Sequence, residues 1–458
     1  MERKNAWKTY TSEQLAELNK INEDYKECLD AGKTERECVR LAVKRLEEKG
    51  YKDLRDVEAP LKAGDKIYAV CMDKTIAAFQ IGKQPLEKGM NILGAHIDSP
   101  RIDVKQNPLY ENEELAYLDT HYYGGLKKYQ WVALPMAIHG VIAKKDGTVT
   151  DVVIGEKADD PVFVITDLLP HLAADQLQKK AMVVIEGEKL DLLIGSQPVK
   201  DTEEKEAVKK HMLNLLKEHY DMEEEDFISA ELEIVPAGHA RDCGLDRSMV
   251  LAYGQDDRVC AFTSLFAMLD VDAPEYTSCC ILVDKEEIGS VGATGMHSRF
   301  FENTIAELVA LTDGESELKV RRALQNSRML SSDVSAGYDP MYPEAFEKRS
   351  ACFCGKGVVF NKFTGSRGKS GSNDANAEYL ARLRRAMDAH EVNYQFSEMG
   401  KVDVGGGGTI AYIMANYGME VIDCGVSVLS MHAPWETTSK ADVYEAYRGY
   451  KAFLTEMQ

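Results

Sequence analysis

Residues 256–287, DDRVCAFTSLFAMLDVDAPEYTSCCILVDKEE, decide the fold. The first half, 256–271, reads as a helix, and 277–285 is an apolar run of the kind found in strands buried on both faces. On such a strand the neighbours Cys279 and Cys280 point to opposite faces. The run then breaks into acidic residues, Glu286 and Glu287, where strand gives way to loop.

The same alternation continues outward. Helices are expected at 302–312, 373–390 and 440–457, and another at 405–418, entered from the glycine turn 405–408. Strands are expected at 327–335, 392–396 and 419–426. Upstream, 8–50 reads as two helices, the second opened by a Thr34/Glu37 capping box, and β-rich runs follow at 66–72, 75–82 and 90–98. This pattern predicts an α/β sandwich around a largely parallel sheet. The segment between about 104 and 238 differs. It is β-rich, has a hairpin signal at Asp146 and Gly147, and carries a charged run at 200–226 that reads as a solvated helix plus an acidic loop. The expected organisation is a discontinuous α/β domain from 1–104 and 239–458, with 105–238 inserted into it as a β-rich domain.

Composition narrows the function. With 55 basic and 76 acidic residues the formal charge is −21, which repels phosphate backbones and anionic lipid, so no nucleic-acid or membrane partner is expected. No apolar run is long enough to span a bilayer, and the first twenty residues lack a secretion-type apolar core. Ten scattered cysteines form no paired framework and read as reduced thiols, so the expected location is the cytoplasm.

Five places set a metal-type ligand where an apolar run meets a loop: His96 in GAHIDSP, Asp257 in GQDDR, Glu286 and Glu287 in VDKEEIGS, Asp333 in SSDVS, and His432 in LSMHAPWE. The donors are nitrogen and oxygen with no thiol, which suits zinc in an open catalytic site, or manganese or cobalt. Two ions close together need a bridging carboxylate, for which Asp257 is the natural candidate, plus one uncoordinated carboxylate to move protons, which the Glu pair can supply. Asp98, two residues past His96, can hold the imidazole in its metal-binding tautomer. The 405–408 glycine run could bind an anion or a carbonyl through its amides, but it matches no nucleotide-binding loop.

Five segments together resemble the aspartyl aminopeptidase family of metallo-aminopeptidases: GAHIDSPRIDVK, GLDRSMVLAYGQDDRVCAF, CCILVDKEEIGSVGATG, SSDVSAGYDPMYPEAF and GGGGTIAYIMANYGMEVIDCGVSVLSMHAPWE. The resemblance implies a three-layer α/β/α zinc-peptidase domain with an inserted β-rich dimerisation domain, and dimers assembled into a dodecamer. It implies two zinc ions per subunit. His96 would bind the first, Asp257 would bridge, Glu287 and Asp333 would be terminal carboxylates, His432 would complete the second site, and Glu286 would be the general base. His171, in the PHL context, matches a histidine that reaches the active site of a partner subunit. The implied activity is removal of the N-terminal residue of peptides. The sequence departs from acidic-selective relatives, because Ser372 stands near the place of their pocket lysine and Lys369 is offset from it. The preferred first residue, acidic or neutral, is therefore open. The same ligands would also serve another two-metal amidohydrolase, such as a deacylase or carboxypeptidase, and a catalytically silent assembly protein is the non-enzyme alternative.

Overall fold

The computed structural model describes residues 4–58, 60–200 and 205–457, which divide into two compact units. The first comprises the described residues within Met1–Asp98, Ala240–Met431 and Glu436–Gln458, and the second those within Ser99–His239 together with His432–Trp435.

A nine-stranded sheet forms the middle of the first unit. At its centre Thr277–Val283, Met90–His96, Arg328–Ser332 and Glu420–Gly425 lie side by side and parallel. Thr75–Gln80 flanks this core antiparallel on one side and Val358–Asn361 on the other, so the sheet is mixed rather than purely parallel. Each central strand alternates strictly. Ile92, Cys279, Met329 and Val421 pack into one hydrophobic core, while Leu93, Cys280, Leu330 and Ile422 pack into the other. Helices Ser12–Ala31, Glu35–Glu48, Gln255–Leu269, Ala377–Ala389 and Lys440–Glu456 supply one covering layer. Phe300–Asp313, Glu317–Gln325 and Ala411–Ala415 supply the other. The unit is thus α/β/α, as the alternation predicts, and Cys279 and Cys280 do face opposite cores. A small five-stranded sheet brings Met249–Ala252 beside Glu436–Ser439.

The second unit contains a six-stranded antiparallel sheet and the helix Ala207–Tyr220. Asp146 and Gly147 turn the hairpin between Met136–Ala143 and Val149–Ile154, with Gly147 at φ 90°. Within the expected charged run the helix forms, followed by a 3-10 stretch Glu224–Ser229, while 201–204 lie outside the described residues. All ten cysteines are unpaired. Among the described residues no helix is long and apolar enough to cross a membrane.

Two expectations need correction. The helix expected over 405–418 shrinks to Ala411–Ala415. Gly405 lies so close to Met399 O that a Cβ would sit 1.8 Å from it, and Gly406 has φ 120°, so the glycines serve loop packing instead of helix. The strand expected over 90–98 stops at His96, which frees residues 97 and 98 to turn. The helix Glu317–Gln325, capped by Ser316, was not anticipated.

Asp442, in the first turn of the last helix, ties that helix to a loop. Its two carboxylate oxygens accept the amides of Gly355 and Gly357, each at 2.7 Å. Burial pushes its pKa up to about 7. The folded chain therefore holds a proton there that the unfolded chain releases nearer 4, so this group's contribution falls as pH rises from about 4 to about 7. Asp442→Ala leaves two buried amides unsatisfied, at roughly 1–3 kcal/mol each. The expected result is a lower denaturation midpoint and a flatter pH dependence of stability in that window; an unchanged midpoint would contradict the assignment.

Candidate metal centre

His96 is the last residue of its strand, and its ring is buried. Nδ1 lies 3.1 Å from the Asp98 carbonyl oxygen and 3.4 Å from Asp98 Oδ1. A proton on Nδ1 donates to that carbonyl and leaves the Nε2 lone pair free for a metal. Nε2 faces Asp256 Oδ1 at 3.4 Å and Glu286 Oε2 at 3.6 Å. The His96 amide donates to Asp257 Oδ2 at 3.3 Å.

The Asp pair sits at the entry of helix Gln255–Leu269, reached through Gly254 in the left-handed region, and neither aspartate has helical dihedrals. Buried polar contacts hold this entry. The Asp256 amide donates to Glu436 Oε2 at 2.9 Å, Gln255 Nε2 donates to the Glu436 carbonyl at 2.6 Å, and Tyr25 donates to Gln255 Oε1 at 3.0 Å. The next residue, Arg258, donates to the carbonyls of Ile97 at 3.2 Å and Lys33 at 2.8 Å, which locks the helix against the turn after His96. Glu286 and Glu287 start a 3-10 turn shortly after strand Thr277–Val283. Their amides both donate to the Asp98 carboxylate, at 3.2 Å each. Asp333 directly follows strand Arg328–Ser332, and its amide donates to the Cys424 carbonyl at 3.0 Å.

Ligand atoms of His96, Asp256, Asp257 and Asp333 all come within 4.8 Å of one another, as do those of His96, Glu286 and Glu287. Asp256 is the residue that sequence reading passed over; the doubled acid in GQDDR was the available signal. His432 and His171 belong to the second unit. His432 Nδ1 lies 3.0 Å from the Gly125 carbonyl oxygen, and His171 is exposed on the 3-10 turn Pro170–Leu172.

The donor cluster suits a divalent cation. Burial, reinforced by the neighbouring carboxylates, pushes Asp257 and Asp333 well above the usual carboxylate range. Burial pulls His96 down, but the charges of Glu286 and Asp257 outweigh it and raise the imidazole. Asp257 Oδ1 is buried without a hydrogen-bond partner. Carboxylates crowded in this way are costly to ionise unless a cation stands among them. Nitrogen and oxygen donors without thiolate fit zinc. Behind them Asp284, fully buried and accepting from Thr294 Oγ1 at 2.6 Å, is pushed up to about 6 by burial and by Glu35 and Asp98, so the acidity extends a layer deeper.

Comparison with known proteins identifies the architecture. The family described as aminopeptidase I zinc metalloprotease (M18) matches residues 28–454. A probable M18 family aminopeptidase 1 from Clostridium acetobutylicum is 60% identical, with 99% of this chain and 98% of the relative covered. The chain belongs to the M18 family. It is a metal-dependent aminopeptidase, and the deacylase, carboxypeptidase and silent-assembly alternatives fall away. The crystal structure of aminopeptidase I from C. acetobutylicum superposes with TM-score 0.94 at 59% identity, covering 99% of both chains. An M18 aminopeptidase from Thermotoga maritima superposes at 0.96 with 43% identity over the whole of both chains. The S. cerevisiae mApe1 dodecamer shares the fold at TM-score 0.77 and 21% identity, covering 94% of this chain and 96% of that one.

Asp98 touches both the histidine and the backbone of the Glu pair, so its loss should be felt as metal affinity. Asp98→Ala is expected to weaken zinc binding by roughly 10–100-fold in a calorimetric titration of metal-free protein. Wild-type affinity in that titration would remove Asp98 from the supporting role.

Proposed function

We propose that this M18 aminopeptidase works through a dinuclear zinc centre with Glu286 as its general base. In this reading His96 would hold one ion, Asp257 would be shared between the two, Glu287 and Asp333 would be terminal carboxylates, and His432 would complete the second site; cobalt or manganese could substitute. Bound there, the ions would polarise the scissile carbonyl and lower the pKa of the attacking water. Glu286 takes the proton from that water and returns it to the leaving amine. The observation that carries this assignment is the Asp98 carboxylate accepting both Glu amides, which fixes the pair as one turn; Glu286 Oε2 lies 3.6 Å from His96 Nε2. Two adjacent carboxylates fixed together allow one to ligate while the other moves protons. The surrounding carboxylates suit the amine of a free peptide N-terminus.

A neutral first residue is the better fit. Among the described residues no lysine or arginine lines the narrow space of about 10 Å³ beside Asp333, which is bounded by Asn361, Thr364, Met399, Thr409 and Asp423. Lys369 is engaged by Asp374 at 3.0 Å, and Ser372 accepts the Thr364 amide at 2.7 Å. We further propose that the second unit, residues 105–238 in the sequence division, mediates dimerisation within a larger homo-oligomer such as a dodecamer, with His171 serving a partner's active site. Supporting this, large apolar side chains stand exposed around it: Leu168, Leu169, Leu172, Leu177 and Met182, the last 83% accessible. Unpaired cysteines support a cytoplasmic location.

Glu286→Gln should retain full zinc content by elemental analysis yet lose ~10²–10⁴-fold in kcat; near-normal turnover would eliminate Glu286 as base. On aminoacyl anilides, the free amine should be cleaved and its N-acetyl form should not, with leucyl preferred over aspartyl substrates. Cleavage of the acetylated form at a comparable rate would contradict recognition of the free amine.

A further inference from the structure

The second unit holds an apolar cavity of about 430 Å³ between its sheet and the helix Ala207–Tyr220. Its origin is a mismatch of size. The six strands span about 24 Å at ~4.8 Å spacing. The 14-residue helix, about 21 Å long, packs chiefly on three of them, Arg101–Asn112, Leu115–Tyr123 and Leu192–Gly195, at one side of the sheet. The helix is pressed to the sheet at Met212, which seats against Gly195, where a Cβ would lie 2.5 Å from its sulfur. Elsewhere a gap remains.

The walls are core-like. Leu118, Ile142 and Val152 from the sheet, with Met222 and Phe227 beyond the helix, line the cavity and are each no more than 3% exposed. Close-packed interiors do not leave apolar spaces of this size, and an apolar cavity with a partly open mouth takes up apolar molecules in preference to water. The volume falls within the usual range for small-molecule pockets, roughly 300–1,000 Å³. Among the described residues, polar side chains on the lining are Asp160, His219 and Tyr220. Among the described residues no lysine or arginine lines it, and Asp160 would repel a carboxylate.

We propose that this cavity is a binding site for an uncharged, mainly aliphatic or aromatic small molecule of about ten to twenty heavy atoms, with its one polar group at His219 and Tyr220. Buried walls on the sheet and on the turn after the helix, with a half-buried helix face closing only part of the space, favour a small molecule over a protein segment. The site is made only of second-unit residues and does not depend on the metal-centre reading.

The test is a fluorescence titration of the full-length, zinc-loaded protein with the neutral probe N-phenyl-1-naphthylamine. Saturable binding near one probe per chain is expected, displaced at least tenfold more effectively by 1-decanol than by decanoate. Val152→Phe and, on the half-buried helix face, Leu216→Trp fill the space. Each should weaken probe binding at least tenfold while peptidase activity, which also reports folding, stays unchanged. Absence of saturable binding, equal displacement by decanoate, or undiminished binding in an active filled variant would each overturn the proposal.

Discussion

Several acidic side chains and one imidazole share a space a few ångströms across at the edge of a hydrophobic sheet, and water does not reach them freely. Asp257 is completely buried, Asp256 and His96 nearly so, and Asp333 stands beside them. Such a group of carboxylates is stable as ions only around a cation. The surrounding architecture serves to hold them together despite their repulsion. Asp98 steadies the histidine and the Glu turn, Glu436 and Gln255 hold the Asp pair, and Arg258 bolts the helix entry to the backbone after His96.

The sheet explains why these residues meet. His96, Glu286 with Glu287, and Asp333 follow three adjacent parallel strands at their carboxyl ends. Open α/β sheets gather functional loops at that edge because strands of one direction all end there. Asp256 and Asp257 arrive from a helix packed on the same sheet, so four segments distant in sequence converge without a long loop.

Much of this was legible in the residues. The buried runs at 277–285 and 90–98 and the helical spacing around them imply the layered sheet, and the changes from apolar run to acid or histidine mark the strand ends. The helix over 405–418 failed because apolar spacing does not report backbone crowding such as that between Gly405 and Met399. Val358–Asn361 escaped notice because four residues carry too little periodicity to register. Asp256 was missed because two adjacent acids on a regular helix point about 100° apart; only a non-helical entry lets both reach the centre. The dual grip of Asp98 on both glutamate amides depends on a turn far along the chain and leaves no local trace.

The most direct measurement is anomalous diffraction from zinc-loaded crystals on either side of the zinc absorption edge. Two peaks per chain flanking Asp257 are expected, one at about 2.0–2.1 Å from His96 Nε2, with the Glu286 carboxylate outside bonding distance of both. A single peak elsewhere in the chain, or Glu286 bound in place of Glu287, would contradict this arrangement.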